Sequence, residues 1–137
     1  MIDIGYSGTP LAKKLGIKSP LKLLLINAPK EYKAWLGDLP EGVKLVTKTK
    51  PPIEGVHLFV TESVLLDAQL SRLRNELKQA GFVWVSWPKK SAKMPTDITE
   101  DTIREIALPL GFVDIKVCAV SDIWSALKLV IRKSERK

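Results

Sequence analysis

A chain of 137 residues has room for one domain, and 45% hydrophobic with 27% charged residues excludes a disordered or fibrous protein. One cysteine, Cys118, and one histidine, His57, exclude an internal disulfide and a zinc cage of Cys and His, so no metal is expected. Twenty-two Lys and Arg against fifteen Asp and Glu give +7, a balance that attracts polyanions; no apolar run reaches the roughly 18 residues of a membrane span, and the N-terminus lacks a signal-peptide layout, so a cytoplasmic protein without a membrane partner is expected.

Residues 1–20 hold three Gly and two Pro and read as an irregular lead-in with one helical turn around Pro10 to Leu15. KLLLIN from Lys22 is a continuous apolar strand buried on both faces, hence central. Lys30 to Leu36 suits a short helix stopped by Gly37, and Val43 to Thr47 a second strand. Val56 to Thr61 (VHLFVT), β-branched and aromatic, makes a third. Leu66, Leu70, Leu73 and Leu77 stand at helical spacing, which predicts a helix from Ser63 to Ala80 with Gly81 as its stop. Phe82 to Trp87 is a fourth strand cut off by Pro88. After the polar loop PKKSAKMPTD, Thr99 is the natural N-cap of a helix whose buried stripe is Ile103, Ile106, Ala107 and Leu110, with Ile98 stapled onto Ile103. Val113 to Val120 and Trp124 to Arg132, joined only by SDI, must pair antiparallel, because a parallel crossover needs about a dozen residues.

This order predicts a single α/β, Rossmann-like domain over 21–132, with a mainly parallel sheet of about six strands closed by an antiparallel hairpin, and a polar tail at 133–137. The layout resembles that of class I methyltransferases that use S-adenosylmethionine, with one strand and one helix fewer. In such sheets ligands bind beyond the carboxyl ends of the strands where strand order reverses, here between the first and third. Asn27 follows the first strand, Thr61 the third, and Trp87, Lys89 and Lys90 the fourth; Thr96 and Asp97 close the loop. These seven are the candidate ligand-binding residues, and the aromatic ring, rigid Pro88 and lysines of the Trp87 to Asp97 loop suit an anion, small or polymeric.

Cofactor chemistry is not expected. A dinucleotide or S-adenosylmethionine site needs glycine after the first strand, where this chain reads NAPKEY, and an acidic ribose partner after the second, where it reads VTKTK with Lys48. The glycines at Gly5 and Gly8 precede any strand. Cys118 in an apolar strand reads as a small core hydrophobe, and His57 inside a strand as structural; Trp124 reads as a core or hairpin anchor. Asp97, Glu100 and Asp101 read as helix-capping acids.

The motifs GYSGTPLAKKLGIK, INAP, HLFVT, WVSWPKK, PTDITED and KVCAVSDIWSALKLV together resemble a family of short bacterial proteins defined as a domain of unknown function. That likeness implies a bacterial cytoplasmic protein and no particular catalysis. Its motifs single out Tyr6, Ser7, Thr9, Lys13 and Lys14, then Trp87, Lys89, Lys90, Thr96 and Asp97, then Trp124 and Ser125. The leading expectation is a non-catalytic binding module for an anion. The rivals are a divergent S-adenosylmethionine-dependent methyltransferase and a basic protein associated with nucleic acid.

Overall fold

The computed structural model describes residues 10–137; Gly5, Tyr6, Ser7, Gly8 and Thr9, singled out above, lie outside the described residues. Six strands form one sheet: β1 (Leu21–Ile26), β2 (Val43–Val46), β3 (Ile53–Phe59), β4 (Leu77–Pro88), β5 (Phe112–Ala119) and β6 (Trp124–Ile131), in spatial order β2-β1-β3-β4-β6-β5. β1, β2, β3 and β4 pair in parallel and β6 runs antiparallel to both β4 and β5. The expected hairpin is present, and its turn is held by Ser121, whose hydroxyl accepts from the backbone N–H groups of Ile123 and Trp124 at 3.1 Å each.

Helices α1 (Leu11–Lys14) and α2 (Tyr32–Leu36) cover one face of the sheet, and α3 (Ser63–Glu76) and α4 (Glu100–Ala107) the other. The period-2 alternation of the strands explains the split. In β1, Leu23 packs with Leu15, Tyr32, Leu36, Phe59 and Trp84, whereas its neighbour Leu24 packs with Leu66, Leu70, Val56 and Val85. Leu66, Leu70 and Leu73 share one stripe of α3 and are fully buried, each contributing about 1.5–3 kcal/mol.

The long helix ends earlier than its leucine spacing predicts. Leu77 leaves the helix with an extended backbone and pairs with Ile53 of β3, so the last leucine of the stripe belongs to β4. Gly81 is therefore not a helix stop: a Cβ there would lie 2.9 Å from the Glu54 carbonyl oxygen, so the residue allows two strands to approach. Gly37, by contrast, ends α2 as expected, with φ 74° and its N–H donating to the Lys33 carbonyl. Thr99 caps α4 as expected, exchanging hydrogen bonds with Thr102, and Ile98 and Ile103 are both buried in one cluster.

Candidate functional site at the carboxyl edge of the sheet

The strand order reverses between β1 and β3, and a cleft opens beside that point, at the carboxyl ends of β1 and β2. It has a volume of about 800 Å³ and is walled by the end of β1, the loop to α2, Thr47 to Thr49 after β2, and Arg72 of α3. Asn27 turns the chain out of β1 with φ 58°, a left-handed conformation that asparagine tolerates better than most residues. Lys30, Lys33, Lys48 and Arg72 line the cleft, and no carboxylate does. Arg72 is aimed by two bonds along its own helix, to Glu76 at 2.9 Å and Gln69 at 2.8 Å.

Of the seven residues expected to meet a ligand, only Asn27 lines this cleft. Trp87, Lys89, Lys90 and Thr96 line a second one of about 510 Å³ at the ends of β4 and β6, together with Ser125 and Glu100. The Trp87 ring, expected beside an anion, is only 8% accessible and packs among Leu66, Val85, Ile98 and Leu127 as one wall of the core. A third cleft of about 380 Å³ has Glu62 and Pro95 on its wall and brings together Thr61, Thr96 and Asp97.

The polar groups of these last three hold the edge together. The Thr61 carbonyl accepts from the Thr96 hydroxyl at 2.7 Å and the Asp97 N–H at 3.3 Å. Asp97 accepts from the Ser63 N–H at 2.7 Å and the Ser63 hydroxyl at 2.8 Å, and these bonds hold its carboxyl below the usual carboxylate range. Asp97 thus caps α3, not the nearby α4. The N-terminus of α3 has no side-chain cap of its own, so an acid 34 residues later in the chain supplies one. Asp97→Ala is expected to lower Tm by a few degrees and to speed amide exchange across the first turn of α3, with the amides of β6 unchanged in a hydrogen-exchange experiment.

His57 and its partners lie beneath the first cleft. Tyr32, which also lines the cleft, places its hydroxyl 2.7 Å from His57 Nδ1, and His57 Nε2 lies 2.7 Å from Ser86 Oγ. Burial pushes the imidazole down to about 3, so the ring is neutral, with one nitrogen accepting and the other donating. His57 also stacks on Phe59 at 4.4 Å. Fully buried, the ring spans α2, β3 and β4 as a structural strut, the role its strand position suggested. Trp124, 9% exposed and edge-on to Phe59, anchors the hairpin as expected. Cys118 is half-buried with its thiol pushed up by burial, the opposite of an activated nucleophile.

Solved structures share this architecture over nearly the whole chain. A Sulfolobus solfataricus protein assigned as a type 11 methyltransferase superposes with a TM-score of 0.64 at 13% identity, covering 93% of this chain and 92% of its own. An Aquifex aeolicus SAM-dependent methyltransferase gives 0.60 at 12% identity, over 88% and 87%. The Methanococcus jannaschii fibrillarin pre-rRNA processing protein gives 0.55 at 13% identity, over 85% and 68%. The chain has the class I methyltransferase fold. No protein-family model and no curated protein matches it in sequence.

The methyltransferase fold implies S-adenosylmethionine, and the residues at the switch point do not fit it in the manner of a glycine loop and acidic clamp. Asn27 to Glu31 contains no glycine, so side chains stand where backbone would approach a ligand. Lys48 stands at the exit of β2, where a carboxylate would accept from ribose hydroxyls. Four cationic side chains line the cleft, and S-adenosylmethionine itself carries a sulfonium and an ammonium, so like charges would meet there.

Proposed function

We propose that the chain is a binding module built on the methyltransferase fold, taking an anionic, phosphate-bearing small molecule in the cleft at the ends of β1 and β2. The observation that carries this reading is the lining itself: Lys30, Lys33, Lys48 and Arg72 with no acid among them. Lysine ammoniums match phosphate oxygens; all four cations are exposed and the Arg72 fork is already bonded to Glu76 and Gln69, so the attraction is screened by salt and the binding is strongest at low ionic strength. The second cleft, with Lys89, Lys90 and Thr96 beside the buried Trp87, also holds the Glu100 carboxylate, so it suits an anion less well.

A thermal-shift and calorimetry panel of pyrophosphate, ATP, sugar phosphates, S-adenosylmethionine and S-adenosylhomocysteine tests it. At least one phosphate compound is expected to stabilise the protein, by roughly 2.7 kcal/mol at a hundred times its Kd. Lys33→Gln with Lys48→Gln is expected to remove that shift and leave the ligand-free Tm nearly unchanged. Stabilisation by none of the phosphates overturns the reading. A second reading, a divergent methyltransferase, is favoured by the extent of the fold match, 93% and 92% of the two chains. Low-micromolar binding of S-adenosylmethionine, worth roughly −7 to −8 kcal/mol, would put that reading first.

A further inference from the structure

A second cationic site lies on the face of the sheet covered by α1, formed by two strands and the segment after α1. Lys116 of β5 and Lys128 of β6 are direct cross-strand partners. Like charges placed opposite each other in an antiparallel pair repel, so this register opposes folding on electrostatic grounds. Lys128 is also half-buried: its ammonium sits 4.9 Å from the Phe82 ring centre and 5.8 Å from that of Trp84, the residue it faces in β4. The stem therefore lies along aromatic surface and fixes where the charge stands. Lys116 is fixed too, its ammonium donating to the Lys14 carbonyl at 3.1 Å.

Lys18 completes the group from the segment after α1. The Lys128 ammonium reaches the segment after α1, where a Cβ on Gly16 would lie 3.6 Å from it, and Lys18 lines the same cleft as Gly16; burial lowers the Lys128 ammonium and the charges of Lys116 and Lys18 lower it further. Neither strand compensates the Lys116–Lys128 pair, and Asp38 is the acid that shares a cleft with Lys18. β6 has no acid, and Asp114, the only acid of β5, is engaged by Arg104 of α4 at 3.0 Å. Among the described residues every ion pair except Lys78–Glu54 uses an arginine, and Lys18, Lys116 and Lys128 take part in none.

We propose that Lys18, Lys116 and Lys128 form a binding site for adjacent phosphate groups, separate from the cleft at the carboxyl edge. The chemistry is that of an oligophosphate, whose closely spaced charges match ammoniums held together against their own repulsion. Such phosphates come either as a free chain or carried on a nucleoside. The proposal rests on the β5–β6 register and the cation–aromatic packing, and stands independently of what the carboxyl-edge cleft binds.

The test is an amide-resolved NMR titration of the full chain at low salt with tripolyphosphate, with ATP as a parallel arm. Saturable shifts are expected at Gly16 to Lys18, Lys116, Lys128 and the Trp84 indole. Lys116→Gln with Lys128→Met, the methionine keeping the apolar stem over Phe82 and Trp84, is expected to weaken binding at least tenfold there and to melt no lower than the wild type. The charge-matched pair Lys33→Gln with Lys48→Gln is expected to leave those shifts intact. Equal affinities for the two probes assign the site to phosphates alone, and tighter ATP binding assigns it to a nucleoside-borne chain. Shifts confined to residues 27–33 and 47–49 would overturn this site while sparing the carboxyl-edge reading, and unchanged affinity in the Lys116→Gln, Lys128→Met protein would overturn it outright.

Discussion

Lowering the pH from 7 toward 3 is expected to remove roughly 4–5 kcal/mol of stability through His57, the only histidine of the chain. The folded protein holds the ring neutral down to about 3, because it is fully buried among Tyr32, Phe59 and Ser86. The unfolded chain takes up a proton near the ordinary value of 6.5. Between those values the unfolded state binds more protons, so stability is complete above about 6.5 and falls as the pH drops toward 3. Asp97 acts at lower pH: its carboxyl is held down, so its contribution is present above its unfolded value and lost as the pH falls through its lower folded value. The interval from 6.5 to 4.5 therefore reports His57. Urea denaturation at stepped pH should show a loss of about 2–3 kcal/mol by pH 4.5, and the His57 ring proton should not titrate in the native protein above that pH. A ring titrating near 6.5 would contradict the buried strut.

Trp84→Ala is expected to cost about 3–5 kcal/mol, the range for emptying a buried aromatic site. Trp84 is 1% exposed, and its indole N–H donates to the Leu15 carbonyl at 2.9 Å, so one side chain fills the core and ties the segment after α1 to β4. Trp84→Phe separates the two roles. It keeps most of the ring but leaves a buried carbonyl without its donor, for about 1–2 kcal/mol. Denaturant midpoints of the two variants measure the split, and equal losses would show that the hydrogen bond carries the anchoring. Amide protection of Leu15 to Ile17 should fall in both, because the lead-in packs through Leu11, Leu15 and Ile17 onto that ring.

Much of the fold was legible in local chemistry. The apolar run of β1, Thr99 before an amphipathic turn and the three-residue SDI link each act over a few residues, so each can be read without knowing what lies across the sheet. The hairpin follows from chain length alone, since SDI cannot cross over. The missing glycine loop and Lys48 were equally plain, because cofactor contacts at the switch point are made by short contiguous segments.

Long-range pairing decided the rest. Leu77 continues the leucine period of α3, yet pairing with Ile53 draws it into β4; a spacing shared by helix and strand is settled by the neighbour available. Asp97 has the sequence context of a cap for α4 and instead caps α3, because the loop folds back across 34 residues. Trp87 stands before Pro88 and two lysines, but strand alternation turns its ring into the core. The cleft lined by Lys30, Lys33, Lys48 and Arg72 collects residues from two loops and a helix, and the Lys116–Lys128 pair exists only through the β5–β6 register. The residues themselves determined a reduced methyltransferase-like sheet without its glycine loop; only packing and register, which set which distant charges become neighbours, decided where cations gather on it.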